Sequence, residues 1–259
     1  MAKIIDRAKI DLLNELVKTS FKMRYQNSIL GILWVLIKPY ATFLVMYFVW
    51  SKISSQSIEN YPLYLLIGIV FYTYFNELAI LGQMSLLERA HIILKVNFPR
   101  QIAIISALFS GVINLFINLI FIFIILVLQG KEINPMGILY VLFLTLIIFL
   151  FNLGLSFFTS ILTVRFRDLK NIFELAFFLL FWATPIMYVV DNSLFDSFTA
   201  KIIRFNPIGI ILNQVRAGFG IYGDINLPLM LAYFAVSVLI VILGWIYFNY
   251  KVKQIAEFF

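Results

Sequence analysis

Long runs of apolar residues alternate with short polar stretches along most of this chain. Six of the runs are close to or longer than the roughly 20 residues that an α-helix needs to cross a lipid bilayer. They cover residues 29–50, 61–81, 101–128, 135–164, 172–190 and 227–248. This pattern predicts an all-α integral membrane protein with six transmembrane helices, and no break in composition divides residues 1–259 into separate domains.

The first 23 residues have a different pattern. Apolar side chains at Ile5, Leu12 and Leu16 fall on one face of a helix, whereas charged side chains fill the opposite face. The segment is too often interrupted by charge to be a secretory signal peptide. It predicts an amphipathic interface helix over residues 1–23 that lies along the inner leaflet.

A polar island separates the second and third apolar runs. Ser85, followed three residues later by Glu88, forms a capping-box sequence, and apolar residues then recur at helical spacing until Pro99. We expect a separate cytoplasmic helix over residues 83–99, with a charged face that a partner protein can bind. An ordinary interfacial loop helix fits the same pattern equally well.

Residues 191–226 contain an apolar stretch that resembles a seventh span. Two helices of about half a bilayer each explain it better, because a seventh crossing would place the basic tail on the opposite side. The capping residues are Ser193 with Asp196 in the first helix, and Asn206, Pro207 and Gly218 in the second. We expect a re-entrant outer gate hairpin over residues 193–218, with Asn213, Gln214 and Arg216 turned toward water or the transport path. The alternative is a surface hairpin packed on the bundle.

Composition and charge fix the class and the orientation. A chain that is 63% hydrophobic and 13% charged cannot bury its apolar side chains in a soluble globule of this size. Fourteen of the lysines and arginines lie in the N-terminal segment, the second and fourth loops and the tail; five lie on the other side, and Lys38 is within a span. The positive-inside rule therefore predicts that both termini lie in the cytoplasm, and it explains the net charge of +7 without nucleic acid.

The chemical motifs that are missing limit the function. The only Gly-Lys pair, Gly130 and Lys131, continues into Glu132, so the chain has no phosphate-binding P-loop. With no Cys and one His it has no disulfide framework, and a histidine metal site is improbable. An intramembrane transferase or an ion-driven carrier would usually show more acids or histidines within its spans. These absences argue against an enzyme and against an ion-driven carrier.

The few ionisable groups in the spans suggest an entrance. Lys38 and Glu77 lie near the cytoplasmic ends of the first two spans. At a helical rise of ~1.5 Å per residue, their depths from those ends differ by about 7 Å. They can form an ion pair. Alternatively, Lys38 faces a water-filled channel and attracts the phosphate of a lipid-linked substrate.

Five motifs in order resemble the permeases of ABC type 2 transporters that export polysaccharides. They are Arg24-Tyr25 with Ser28, Leu30-Gly31, Leu33-Trp34 and Pro39; Glu88-Arg89 with Lys95 and Phe98-Pro99-Arg100; Arg165-Phe166-Arg167-Asp168; Pro185-Ile186-Met187-Tyr188; and Asn206-Pro207. The resemblance covers nearly the whole chain. Lys38 departs from it, because many relatives have a neutral residue before this proline.

The resemblance implies a homodimer bound to two cytoplasmic ABC ATPase subunits, which would hold ATP and magnesium. The cargo would be a lipid-linked polysaccharide of the O-antigen, capsule or teichoic acid type. The implied ATPase-coupling residues are Ser85, Glu88, Arg89, His91, Lys95, Arg100, Arg165, Arg167 and Asp168. The substrate-pathway candidates are Tyr25, Trp34, Lys38, Glu77 and Tyr188, and the outer-gate candidates are Asn206, Pro207, Asn213, Gln214 and Arg216. A permease for a lipid or drug, and an ion-driven flippase for lipid-linked sugars, are the alternatives.

Overall fold

The structure, a computed structural model, describes residues 2–25, 28–54, 58–93, 95, 99–131, 134–189 and 197–252. These residues are helical almost throughout, and none of them forms a strand. The helices are α1 (Ala2–Tyr25), α2 (Trp34–Ser54), α3 (Tyr61–Glu88), α4 (Ala90–Ile93), α5 (Gln101–Leu128), α6 (Pro135–Arg165), α7 (Leu169–Ala183), α8 (Ser197–Arg204), α9 (Pro207–Gly218) and α10 (Leu227–Lys251). A single 3-10 turn, Gly31–Leu33, precedes α2.

Five helices in the described part of the chain are long and apolar enough to cross a membrane. They are Gly31–Lys52, which joins the 3-10 turn to α2, and α3, α5, α6 and α10. These five confirm five of the six predicted spans. Pro39 lies inside α2, where it removes one helical hydrogen bond.

The remaining predicted span, residues 172–190, is helical only as far as Ala183. The 15 residues of α7 extend about 22 Å, which is less than the roughly 30 Å of a bilayer core. Pro185 explains the early end, because it has no backbone N–H and disfavours helical geometry in the residue before it. Residues 184–189 are non-helical, so the expectation of one continuous helix was wrong beyond Ala183.

The central helix of the bundle is α3. Nineteen of its residues are buried, and it packs against α2, α5, α6, α7 and α9. Side-chain contacts show that α3, α6 and α10 run in one direction and α5 in the other. α3 and α6 end on the same side of the bundle, where Arg89, Arg100, Arg165 and Arg167 also lie. We call this side the basic end. The opposite end, where α9 lies, is the hairpin end.

Glycines allow α6 to approach its neighbours closely. A Cβ atom on Gly154 of α6 would lie 2.7 Å from the Ile240 carbonyl carbon, and one on Gly244 of α10 would lie 2.6 Å from the Gly154 carbonyl oxygen. Gly82 of α3 similarly faces Ser156 of α6. Small residues at such crossings let backbones touch, and van der Waals packing is the main attraction between helices in lipid.

The N-terminal helix packs along α5. Among its described side chains Leu16 is buried, whereas Asp11, Asn14 and Lys18 are exposed, as the sequence pattern indicates for this half. The side chains of the first half of the helix, including Ile5, lie outside the described residues.

The predicted separate helix over residues 83–99 is wrong. The preceding span simply continues, because α3 runs to Glu88, and Ser85 is buried inside it with its hydroxyl donating to the Gly82 carbonyl at 2.7 Å. Ser85 is therefore not a capping residue. The chain breaks at Arg89 and makes one further turn, α4, after which residues 94 and 96–98 lie outside the described part.

Candidate functional site

A cavity of about 540 Å³ opens between α2, α3, α5 and the end of α1 at the basic end of the bundle. It brings together four of the five residues predicted for a substrate pathway. These four are Tyr25, Trp34, Lys38 and Glu77. Tyr188 lies at the hairpin end instead, where its hydroxyl donates to the Trp182 carbonyl at 3.0 Å.

An ion pair forms one wall of this cavity. Arg24 of α1 donates to the Glu77 carboxylate at 2.5 Å, and the Asn114 amide of α5 donates to the same oxygen at 2.5 Å. The Tyr25 hydroxyl lies 3.0 Å from the Asn114 amide nitrogen, and burial, with the nearby Glu77 charge, raises the pKa of Tyr25. The predicted pairing of Glu77 with Lys38 is therefore wrong, because Arg24 at the end of α1 occupies that position.

Lys38 has no ion pair among the described residues and is exposed to the cavity. Trp34, one turn earlier on α2, is also exposed, so a cation and an aromatic ring face the same space. Aromatic faces and lysines are the side chains that contact apolar sugar faces and phosphates in other sites. The cavity thus has one positive charge left over once Arg24 and Glu77 cancel.

Two residues of this site were not predicted as functional. Arg24 was quoted only as part of a motif, and Asn114 was not among the predicted site residues. The signal that could have found them is their place in the chain: Arg24 ends an amphipathic helix just before the first span, and Asn114 is one of two asparagines in a strongly apolar helix.

The second polar centre lies at the hairpin end and is built around Arg216 of α9. Its guanidinium donates to the carbonyls of Tyr64 at 3.1 Å, Pro185 at 3.0 Å and Ile186 at 2.8 Å, and also to Asn213 Oδ1 at 2.8 Å. The side chain is fully buried. The prediction that Arg216 faces water or the transport path is therefore wrong. We call this set of contacts the Arg216 clasp.

The clasp explains how a non-helical segment can lie within the bundle. Backbone carbonyls at membrane depth must find partners inside the protein, because lipid offers none. Every carbonyl from Pro185 to Tyr188 has one. Arg216 binds the first two, Tyr61 donates to Met187 at 3.0 Å, and Tyr64 donates to Tyr188 at 3.1 Å.

Asn206 and Pro207 begin α9 as predicted. The Asn206 side chain accepts from the Ile208 N–H at 3.0 Å and, as donor, reaches Thr184 Oγ1 at 2.9 Å, so it joins α9 to the segment after α7. Gly218 is the last residue of α9, also as predicted. The capping pair proposed for the first short helix, Ser193 with Asp196, lies outside the described residues.

The other two hairpin amides have structural partners. Gln214 accepts from the Tyr140 hydroxyl at 2.5 Å and from the Asn226 N–H at 2.8 Å, which ties α9 to α6 and to the start of α10. Asn213 is partly exposed and lines a cavity of about 200 Å³ together with Val189.

The residues predicted to couple to an ATPase divide into exposed and buried groups. Those exposed at the basic end are Glu88, His91, Lys95, Arg165, Arg167 and Asp168. Arg89 is buried and donates to the Ser20 hydroxyl of α1, while Arg100 donates to the Val252 carbonyl after α10. Burial lowers the pKa of Arg89. Arg89, one of the implied ATPase-coupling residues, is therefore not on the exposed surface that Glu88 and His91 share. Within the described ranges, no three His, Asp or Glu side chains come close enough to bind a metal.

Five long apolar helices in the described part of the chain, with a cavity among them that holds three charged side chains, define a multi-pass membrane protein. Residues 11–219 match the ABC-2 type transporter family, and the chain belongs to that family. It is 26% identical over 246 residues to the O-antigen export system permease protein RfbA of Myxococcus xanthus, covering 95% of this chain and 94% of the relative. Two proteins of the same description from Klebsiella pneumoniae are each 26% identical over 247 residues, with the same coverage.

Proposed function

We propose that this chain is the channel-forming subunit of an ATP-driven exporter that moves a lipid-linked polysaccharide outward across the cytoplasmic membrane. Two copies assemble with two ATPase subunits, which bind ATP and magnesium. The observation that carries the proposal is the cavity at the basic end, where Lys38 and Trp34 face one open space beside the Arg24–Glu77 pair. The similarity to permeases described as O-antigen export proteins supports the class of cargo.

The orientation follows from charge. The basic end collects the arginines of the α3–α5 and α6–α7 connections, and by the positive-inside rule it faces the cytoplasm with both termini. α1 lies along the inner leaflet. α7, residues 184–189 and the α8–α9 hairpin together make the sixth crossing and the outer closure, so the chain crosses six times with five full-length helices among its described residues.

The coupling surface lies at the same end. Glu88, His91 and Lys95 are exposed after α3, and Arg167 and Asp168 are exposed between α6 and α7. α3 continues without interruption from this surface past the cavity to the Arg216 clasp. A push on Glu88 by an ATPase is therefore transmitted along one rigid helix to both polar centres.

Anion binding and ring stacking suit the two parts of a lipid-linked sugar. A phosphate at the membrane surface would meet Lys38, and the sugar next to it would meet Trp34 and Tyr25. Rings stack on sugar faces without fixing one sugar tightly, which suits movement of a long chain past them.

The test is removal of the chain from its host together with affinity purification of a tagged copy. We expect the deletion strain to retain a lipid-linked polymer in the cytoplasm and to lose it from the surface, and the tagged chain to bring down a P-loop ATPase. A strain that keeps its surface polymer but accumulates a lipid or drug would favour the lipid or drug permease. Export that continues without any ATP hydrolysis would favour an ion-driven flippase.

A further inference from the structure

A second opening lies on the surface between α1 and α5, apart from the ion pair and from Lys38. It is an open groove of about 640 Å³. Its apolar residues are Val17 and Phe21 of α1 and Ile113 of α5, and its polar residues are Asn14, Lys18, Lys22 and Tyr25, the last of which also lines the entrance cavity. The arrangement combines an apolar floor with a cationic edge.

The floor is suited to a hydrocarbon chain. Val17, Phe21 and Ile113 are each partly exposed, although they lie between two packed helices. The Phe21 ring meets the Tyr25 ring edge to face, with the ring centroids 5.1 Å apart, and this contact closes one end of the floor. Binding of an apolar chain in a concave groove lowers the free energy, because it removes the partly covered apolar surface from water.

The edge is suited to a phosphate. Lys18 and Lys22 are one helical turn apart, which places their Cβ atoms about 6 Å from each other, and like charges at this spacing repel. Both are exposed, and neither forms an ion pair with a described residue. Glu15 is nearby on the same helix, but it does not line the groove. An anion between the two ammonium groups would remove the repulsion.

We propose that this groove binds an anionic phospholipid of the inner leaflet, with an acyl chain on Val17, Phe21 and Ile113 and the phosphate between Lys18 and Lys22. The inference rests on the proposed function for the placement of α1 at that leaflet. It goes beyond that function, because the ligand is a structural lipid of the bilayer and not the cargo. A bound lipid would fix α1, and through Arg24 the wall of the entrance cavity.

The experiment uses the full chain, which has no native Cys. A bimane label is attached to a single cysteine introduced by Ile10→Cys, one turn before Asn14 and outside the groove. The chain is reconstituted in phosphatidylcholine, and quenching is measured with brominated phosphatidylglycerol and brominated phosphatidylcholine. We expect half-maximal quenching at a phosphatidylglycerol fraction on the order of tenfold lower than for phosphatidylcholine.

Matched variants test whether Lys18 and Lys22 bind the phosphate. Lys18→Gln with Lys22→Gln should abolish the preference for phosphatidylglycerol over phosphatidylcholine, and Lys18→Arg with Lys22→Arg should keep it. Lys95→Gln with Lys170→Gln removes the same charge from the basic end outside the groove and should also keep it. A preference that survives the first pair would overturn the proposal.

Three further outcomes separate the sources of failure. Equal quenching by both lipids in the unmodified background would keep α1 at the membrane and overturn the lipid site alone. No quenching by either lipid would remove α1 from the membrane and overturn its placement in the proposed function as well. Displacement of brominated phosphatidylglycerol by low concentrations of farnesyl diphosphate would assign the groove to the head of the cargo instead and overturn the choice of ligand.

Discussion

The guanidinium carbon of Arg216 lies 3.4 Å from the centre of the Tyr64 ring, and the same side chain donates to the Tyr64 backbone carbonyl. One residue of α3 therefore holds the buried cation both by its ring and by its backbone. Because Tyr64 also donates to the Tyr188 carbonyl, the pair joins α3, α9 and the non-helical segment after α7 into one unit.

Arg216→Met should destabilise the protein strongly. The change leaves the Ile186 carbonyl buried without its donor, and the Pro185 carbonyl keeps only the Tyr64 hydroxyl at 3.4 Å. Since an unsatisfied buried group costs about 1–3 kcal/mol, we expect a loss of about 2–3 kcal/mol, measured as a lower midpoint of thermal unfolding in detergent. Lys201→Met, on the exposed side of α8, is the control and should leave the midpoint unchanged. Equal midpoints for the two variants would contradict the clasp.

Gly68→Ala should weaken the same unit. A Cβ atom on Gly68 would come closer than 3.0 Å to an Arg216 nitrogen and would lie 3.3 Å from the Ile186 carbonyl oxygen. Since both changes act on one set of contacts, their effects should not add. The double variant Gly68→Ala with Arg216→Met should unfold at nearly the midpoint of Arg216→Met alone. Fully additive losses would show that Gly68 is needed for another reason.

Lys38→Met and Glu77→Gln should have different effects. Lys38 has no ion-pair partner among the described residues, so its replacement should leave the unfolding midpoint unchanged while slowing export by about tenfold or more, the loss expected for one charge-assisted contact. Glu77→Gln breaks the pair with Arg24 and should lower the midpoint as well as export. Export is measured as transfer of lipid-linked polymer into reconstituted vesicles. Full export by Lys38→Met would remove this lysine from the pathway.

Charge reversal at the basic end should separate coupling from anchoring. Glu88→Lys with His91→Glu changes two exposed side chains at and just after the end of α3, so ATP hydrolysis should continue while export falls.

Arg89→Met instead removes the donor to Ser20 and should loosen α1 from the bundle. The measure of loosening is faster labelling of a cysteine placed at Leu16, which is buried in the unmodified protein. If Arg89→Met leaves that rate unchanged, another contact holds α1 in place.

Asn213→Cys with Val189→Cys should form a disulfide under mild oxidation, because both positions line the same small cavity. The clasp keeps α9 and the segment before residue 190 together, so we expect the crosslinked protein to export as well as the reduced one. Loss of export on oxidation, restored by a reductant, would show that this part of the hairpin must separate during transport.

The sequence was sufficient for what depends on composition and length. Apolar runs predicted six spans, of which five are full-length helices, and the Asn206-Pro207 pair predicted the start of α9, because capping and hydrophobic length are local properties. The sequence was not sufficient where a tertiary contact determines which residues pair. Nothing in the pattern distinguishes Arg24 from Lys38 as the partner of Glu77, since the choice depends on where α1 ends against α3.

The same limit explains two errors of placement. Ser85 and Glu88 have the spacing of a capping box, but packing of Gly82 and Leu86 against neighbouring helices continues α3 through them. Arg216 was assigned to water because an arginine in an apolar region is costly. The carbonyls that satisfy it come from Tyr64 and Pro185, which are far away in the sequence.

The Arg216 clasp also sets an order for biosynthesis. The ribosome completes Pro185 and Ile186 about 30 residues before the arginine that binds their carbonyls. Until α9 has been made, this stretch has no stable place in lipid, so α7 must wait at the translocon or at the membrane surface. A cysteine introduced in α7 should react with a water-soluble thiol reagent in a nascent chain stalled before residue 216, whereas it should be protected in one stalled after α10.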